Sequence, residues 1–349
     1  MVPSRLVTAL LTAIILPACG PARLPAAGAP LPTPAAAAAA AAGPVAVGTA
    51  RVELLADGAE AMARMVALVA AARARVEAEI YEFDRRELVE AMVAARRRGV
   101  AVAVVADPTV STNAKALDRL RAAGAEVRLF PTGAGQIDHV KLLVVDGLAA
   151  VFGGMNWGSR SYLNHDFDVA VTGTPVALLD WILANDLVRS GNVELRPPAR
   201  PPDDPGLRLA TTHPAADIRP LVLEAIGAAR AYVFVEMYVI TDGPALAALE
   251  QAARRGVATW ILLDPGQPLN QAAAVRLREA RVAVRFYHGS GEKLHAKAMV
   301  VDGGRLLVGS ANWTSSGFGH NHELDALIDS PEVAAAALRR MEADWAVSA

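Results

Sequence analysis

The sequence predicts an α/β protein made of two duplicated α-β-α sandwich domains packed as a pseudo-dimer. Three observations carry that expectation. A short motif, His139-x-Lys141-x4-Asp146, returns as His295-x-Lys297-x4-Asp302. The flanking sequence aligns at nearly the same spacing. Glu79-Ile80-Tyr81 matches Glu236-Met237-Tyr238, Arg97-Arg98-Gly99-Val100 matches Arg254-Arg255-Gly256-Val257, and Asp107-Pro108 matches Asp264-Pro265. These anchors lie 157 positions apart (236 − 79) and the motifs 156 (295 − 139), a period that signals domain duplication and not a solenoid. Within each half, apolar runs alternate with amphipathic ones, the pattern of sheets covered by helices on both faces.

Taken in order, residues 59–75 read as helix, 76–83 as strand, 87–98 as helix, 100–106 as an apolar strand, 113–123 as helix and 127–130 as strand. The second half repeats this with 218–229, 232–239, 245–255, 257–263, 271–280 and 282–287. Each half closes on a helix announced by a capping residue before proline, Thr174-Pro175 and Ser330-Pro331. The proline-rich stretch 197–205 is the predicted linker, which gives domains over 48–196 and 206–349. A chain of 349 residues has room for about two such domains.

Composition limits the alternatives. With 53% hydrophobic and 20% charged residues the chain can bury a large core, which excludes a disordered protein. A net charge of −2 supplies no global field to attract nucleic acid, though a local basic cleft is compatible with it. Ahead of the domains, Arg5 precedes a short apolar run over 6–16 and then Pro17-Ala18-Cys19-Gly20. The run is shorter than a membrane span and has the flanks of a signal peptide over 1–18. Small residues before a lone cysteine resemble a bacterial lipobox, so Cys19 is the expected lipidation site. Residues 19–47, rich in Ala and Pro, read as a tether to an exported, membrane-anchored, periplasmic or extracellular enzyme. No cysteine follows Cys19, so the fold uses no disulfide.

The repeated motif carries the chemistry. His139 and Lys141 share one face of an extended segment, as do His295 and Lys297, so imidazole and ammonium project together. Asp146 and Asp302 have the opposite parity and precede Gly147 and Gly303, which suits anchoring of a strand or turn better than contact with substrate. Asn156 and Asn312 follow a second strand and offer amide donors. Two lysines, two asparagines and the Ser310 hydroxyl describe a pocket for a tetrahedral anion such as phosphate.

The doubled pattern His-x-Lys-x4-Asp-x6-Gly-Ser-x-Asn resembles the phospholipase D superfamily over residues 49–349. The second copy is complete, whereas the first carries Gly154 in place of the serine. Family members place an acidic residue after the motif to orient a catalytic histidine. Glu323, in Asn321-His322-Glu323, and Asp166, in Asn164-His165-Asp166, match that position. The resemblance implies the phospholipase D fold and a metal-independent phosphodiesterase that needs no cofactor. One histidine attacks phosphorus and the other protonates the leaving alcohol. It assigns the nucleophile to His139, the acid/base to His295, and charge balance at the phosphoryl oxygens to Lys141 and Lys297, with Asp146 and Asp302 completing the catalytic motif. A phospholipid hydrolase or headgroup transferase leads the readings. An exported nuclease and a cardiolipin-synthase-like transferase are the alternatives, and a monomer with internal pseudo-twofold symmetry is the expected assembly.

Other residues read more plainly. Trp157 and Trp313 suit packing more than gating. Glu79 and Glu236 suit a buried carboxylate and a wet strand end equally. His320, His322 and Glu323 suit a metal only by type, and His213 and His288 read as surface residues. The Arg96-Arg97-Arg98 and Arg254-Arg255 runs suit helix C-termini.

Overall fold

The computed structural model describes residues 43–349 apart from Val193 and Ser290. The expected signal peptide, Cys19 and most of the expected tether lie outside the described residues.

The first half forms β1 (Val45–Val47), β2 (Ala50–Leu55), β3 (Arg75–Ile80), β4 (Ala101–Ala106), β5 (Glu126–Leu129), β6 (Lys141–Val145), β7 (Ala149–Gly153) and β8 (Asp168–Gly173). They assemble into one mixed sheet in the order β1-β2-β8-β7-β6-β3-β4-β5. The second half forms β9 (Leu207–Thr211), β10 (Tyr232–Met237), β11 (Ala258–Leu263), β12 (Ala283–Phe286), β13 (Lys297–Val301), β14 (Arg305–Gly309) and β15 (Leu324–Asp329). Their order is β12-β11-β10-β13-β14-β15-β9. In both sheets the first three strands after the opening helix run parallel, and the motif strand adds antiparallel beside the first of them. The motif strands β6 and β13 are therefore central. All five residues of each are buried, which explains their unbroken apolar run.

Helices α1 (Gly58–Ala71), α2 (Arg86–Arg97) and α3 (Ala114–Ala122) cover one face of the first sheet, and α4 (Pro175–Arg189) covers the other. In the second half, α5 (Ile218–Ala228), α6 (Gly243–Arg254) and α7 (Asn270–Glu279) correspond to the first three, α8 (Ser315–Gly319) is a single short turn, and α9 (Pro331–Val347) corresponds to α4. Two outer cores lie under the helical layers. A third, central core joins the halves, combining Val144, Phe152 and Ile182 of the first with Val300, Val308 and Trp345 of the second. This shared core, to which α4 and α9 both contribute, joins the two halves.

The predicted elements stand with boundaries moved by a few residues. The outer strands β1, β2 and β9 had no sequence signal, and residues 45–47, expected to end the tether, form β1. One cap differs from expectation. Ser330 accepts from the Val333 amide at 3.3 Å at the start of α9, but the Thr174 hydroxyl makes no cap bond and instead donates to Asp204 at 3.2 Å. Asp204 also accepts from the Thr49 amide at 3.2 Å, so the interdomain linker claims the threonine that sequence assigns to the helix.

Asp146 and Asp302 hold the motif strands in register. The Asp146 carboxylate accepts from the amides of Arg73, Ala74 and Arg75 at 2.8–2.9 Å, and Asp302 accepts from those of Arg230, Ala231 and Tyr232 at the same distances. Each ties the turn after the motif strand to the start of its neighbour. Both adopt the left-handed conformation, φ 54° and 51°, which aspartate tolerates better than most residues.

Candidate active site

The site lies where β3 and β10 end and the antiparallel strands β6 and β13 begin. Ile80 pairs with Lys141 and Met237 with Lys297, so each lysine starts its strand and each histidine stands just ahead of it. The two halves then exchange segments. The His139 amide donates to the His322 carbonyl at 2.8 Å, and the His322 amide donates to the Ile137 carbonyl at 2.9 Å. In the duplicate, His295 donates to His165 and His165 to Lys293, both at 2.8 Å.

This exchange crosses the dyads. Glu323 of the second half bonds His139 Nδ1 at 2.8 Å, and Asp166 of the first half bonds His295 Nδ1 with both oxygens at 3.0 Å. Each half thus supplies the carboxylate for the other half's histidine. With Nδ1 committed as donor to a carboxylate, Nε2 is the nitrogen left for chemistry. Tyr81 packs edge-on to His139 at 5.0 Å between ring centres, and Tyr238 lies against His295 at 4.8 Å.

Both histidines border a cleft of about 420 Å³. From the first half it is lined by Tyr81, Glu82, Asn156, Arg160, Ser161 and Asn164, and from the second by Tyr238, Lys293 and Asn312. The Oδ1 atoms of Asn156 and Asn312 are buried without a partner among the described residues, which leaves both amides uncommitted at the cleft. The lysines are buried behind the histidines. Lys141 donates to the His139 carbonyl at 2.5 Å, and Lys297 bonds the His295 carbonyl and lies 3.0 and 3.1 Å from the two ring nitrogens.

Two expected site residues are elsewhere. Asp146 and Asp302 face backbone amides outside the cleft, because their side chains leave the strand on the opposite parity. Ser310 is not open to an anion. Its hydroxyl donates to Glu323 at 2.6 Å and accepts from the Leu324 amide at 3.0 Å, so it steadies the carboxylate.

The sequence missed the residues that anchor the exchanged segments. His322 is buried, stacked on Phe130, and bonds Asp186 on α4 at 3.0 Å with Glu79 on β3 at 3.6 Å. His165 is its counterpart, stacked on Tyr287 and bonded to Glu236 at 2.8 Å and Asp344 at 3.2 Å. Glu79 and Glu236 are therefore buried partners of these histidines. The signal was present in the paired sequences Asn164-His165-Asp166 and Asn321-His322-Glu323. Trp157 and Trp313 pack in the outer cores, their backbones bridging to Phe83 and Ile240.

Residues 65–181 and 222–345 match the family described as "Cardiolipin synthase, PLD-like domain". The chain belongs to the phospholipase D superfamily. Cardiolipin synthase A of Pseudomonas syringae pv. syringae (strain B728a) is 30% identical over 321 residues, covering 82% of this chain and 66% of that protein. Cardiolipin synthase of Clostridium perfringens (strain SM101 / Type A) is 25% identical over 320 residues, covering 79% and 66%. The chain thus spans just under two thirds of the length of these curated relatives. The fold is shared with phosphatidylserine synthase of Haemophilus influenzae Rd KW20, at TM-score 0.63 and 14% identity over 85% of this chain and 86% of that one. Polyphosphate kinase from Porphyromonas gingivalis gives a TM-score of 0.61 at 14% identity, over 84% of this chain and 46% of the other. No helix among the described residues is long and apolar enough to cross a membrane.

Burial sets the charge state of this superfamily site. It pushes the His139 imidazole below its ordinary range despite Glu323, and burial together with Lys297 takes His295 down to about 4. Burial also lowers Lys141 to about 7 and Lys297 to about 8. Glu323 goes the other way. Burial alone would raise it, but His139, Lys141 and the Ser310 hydroxyl together hold it below the usual carboxylate range. Burial therefore disfavours the charged forms of both imidazoles and both lysines, while Glu323 and Asp166 are held toward the ionised form, and an incoming anion would favour the protonated cations.

Proposed function

We propose that the protein transfers a phosphatidyl group from a phospholipid to an alcohol through a phosphohistidine. The observation that carries this reading is the crossed pair of histidine–carboxylate dyads facing one cleft, with a buried lysine behind each histidine. A phosphodiester seated between the histidines meets a neutral imidazole on one side and a proton donor in waiting on the other. His139 Nε2 attacks phosphorus, the bond to the leaving alcohol breaks, and His295 Nε2 delivers a proton to the departing oxygen. The entering phosphate brings the negative charge that lets His295 hold that proton, and Lys141 and Lys297 balance charge on the equatorial oxygens. An acceptor alcohol then gives its proton to His295, and its oxygen displaces His139 from phosphorus.

Two supports favour an alcohol over water as acceptor and lipid over nucleic acid as donor: the matched family is described by cardiolipin synthase, and relatives 25–31% identical carry that name. Hydrolysis of the same intermediate by water is the second reading, since nothing in the dyads discriminates against it. The test uses the chain with vesicles of phosphatidylglycerol, vesicles of phosphatidylcholine, and plasmid DNA, in parallel with His139→Ala. A new lipid diester formed only by the unsubstituted protein supports transfer. Phosphatidic acid without transfer product moves the reading to hydrolysis, and DNA cleavage with intact lipid overturns it.

A further inference from the structure

The segments that carry His165 and His322 are anchored by buried clusters that the duplication left unequal in charge. Around His165, Glu236 and Asp344 meet two cationic groups. The imidazole stands 2.8 and 3.2 Å from them, and Arg340 pairs with Asp344 at 3.0 Å. Around His322 three buried carboxylates gather, Glu79, Asp138 and Asp186. Asp186 and Asp344 hold equivalent places on α4 and α9, 158 positions apart (344 − 186), and at that spacing Arg340 corresponds to Ile182 (340 − 158). Asp138 corresponds to Leu294 (138 + 156). Relative to its duplicate, the His322 cluster therefore has an aliphatic side chain in place of a cation and a carboxylate in place of an aliphatic one. Arg189, 3.9 Å from Asp186, is 39% exposed, and the Asp138 amide donates to a further buried carboxylate, Asp107, at 2.6 Å.

Hydrogen bonding does not absorb the difference. Both Glu79 carboxylate oxygens, Asp138 Oδ2 and His322 Nδ1 are buried without a hydrogen-bond partner among the described residues. Glu79 Oε1 faces His322 Nε2 at 3.6 Å, and one ligand atom each from Glu79, Asp138 and His322 lies within 4.8 Å of the other two. Buried carboxylates left in this state call for a counter-charge. We propose that Glu79, Asp138 and His322 bind a divalent transition-metal cation of the zinc or manganese class. Two carboxylates and an imidazole suit such ions, whereas calcium and magnesium take oxygen ligands. Asp186, bonded to His322 Nε2 at 3.0 Å, is the carboxylate partner that steadies a ligating imidazole. In the cation-free protein protons meet the excess: burial pushes Asp138 up to about 7 and holds Glu79 well above its ordinary range, and binding of the ion releases those protons. The ion takes no part in the chemical steps. It ties Asp138, next to His139, to His322, next to Glu323, where the two segments already bridge, and so positions the His139–Glu323 dyad from behind. The site is independent of which phosphodiester or acceptor the enzyme uses.

The experiment measures the ion itself. The tag-free chain is dialysed against EDTA, freed of chelator and titrated by calorimetry with Zn²⁺ and separately with Mn²⁺, and the bound metal is counted by atomic emission. One ion per chain is expected. Glu79→Gln and Asp138→Asn should each weaken it by about 100-fold or more, beyond the roughly 10–100-fold lost with an outer partner of a metal ligand, while Glu236→Gln in the counterpart cluster should leave it unchanged. The ion should also raise the melting temperature of the unsubstituted chain and not that of Asp138→Asn. Equal affinity in Glu79→Gln and Asp138→Asn means an adventitious ion only and overturns the site, as does failure of both metals to bind. Where a variant does not fold, X-ray absorption of zinc on the unsubstituted chain decides. Oxygen ligation with one imidazole supports the site, and a sulfur or several imidazoles place the ion elsewhere and overturn it. Removal of the ion should lower kcat for phosphodiester turnover at constant KM, and an unchanged kcat overturns the positioning role. A chain that turns over no phosphodiester counts against the transfer reading alone, and the metal titration still decides the site.

Discussion

The two half-sites share a geometry and differ in how their carboxylates are held. Glu323 reaches His139 with one oxygen while Ser310 and Asn321 bond it at 2.6 and 3.1 Å, so the longer side chain is fixed from three sides. Asp166 is one methylene shorter and spends both oxygens on His295. At position 154, which corresponds to Ser310, a Cβ would fall 2.6 Å from an Asp166 oxygen. Gly154 and Asp166 are thus one accommodation: the shorter carboxylate reaches its histidine through the space that a serine side chain would fill. Duplication preserved the crossing and let the supporting contacts diverge, which gives two chemically similar histidines unequal surroundings.

The largest effects should come from the histidines. His139→Ala and His295→Ala should each reduce phosphodiester turnover by about 1,000-fold or more. With a substrate whose leaving group needs no protonation, His295→Ala should accumulate phosphate on His139, detectable as a mass increase. Accumulation in His139→Ala instead would exchange the two roles.

Next come the carboxylates. Asp166→Asn and Glu323→Gln should each lower kcat by about 100-fold through misalignment of the dyad, with KM little changed. Asp166→Asn should be the more damaging, because among the described residues no side chain other than His295 bonds the residue 166 carboxylate. Equal losses in steady-state kinetics would mean that the contacts of Ser310 and Asn321 with Glu323 do not matter.

The anchors follow. His165→Gln removes the buried cation bonded to Glu236, while Asp344 keeps its 3.0 Å ion pair with Arg340, and should cost about 3 kcal/mol in denaturant unfolding. Burial would lower His165, but Glu236 and Asp344 raise it to about 10. Its folded value lies above the unfolded one, so the stabilisation is complete below about pH 6.5 and fades as pH rises toward 10. Melts across that window should show the decline in the unsubstituted protein and lose it in His165→Gln. The counterpart cluster should respond earlier. Asp138, buried just ahead of His139, joins Glu79 beside His322; burial raises it to about 7 and holds Glu79 well above the carboxylate range, so protonated acids contribute stability that is lost as pH rises from about 4 through 7.

The smallest effects concern the accommodation itself. Gly154→Ser should destabilise by about 1–3 kcal/mol through overpacking against Asp166, and Ser310→Ala by about 1 kcal/mol through one lost hydrogen bond. A neutral Gly154→Ser in a thermal melt would show that Asp166 can retreat without cost.

The sequence determined a good deal by itself. Repetition exposed the duplication, the period of apolar residues gave the central strands and the helices, and strand parity separated His139 and Lys141 from Asp146. The resemblance supplied Glu323 and Asp166 as orienting acids. What it left open was which histidine each acid serves, because hydrogen bonds between residues 184 and 129 positions apart leave no trace in local pattern. Ser310 reads as an anion donor in a motif and as a carboxylate support in the fold for the same reason. Edge strands such as β1 and β9 are short and take their identity from the neighbour they pair with. His165 and His322 read as ordinary polar residues until the opposite half brings the acids that charge them. The bond-making groups are local in sequence, and only the tertiary structure decided their pairing and their protonation, because burial and long-range contact set both.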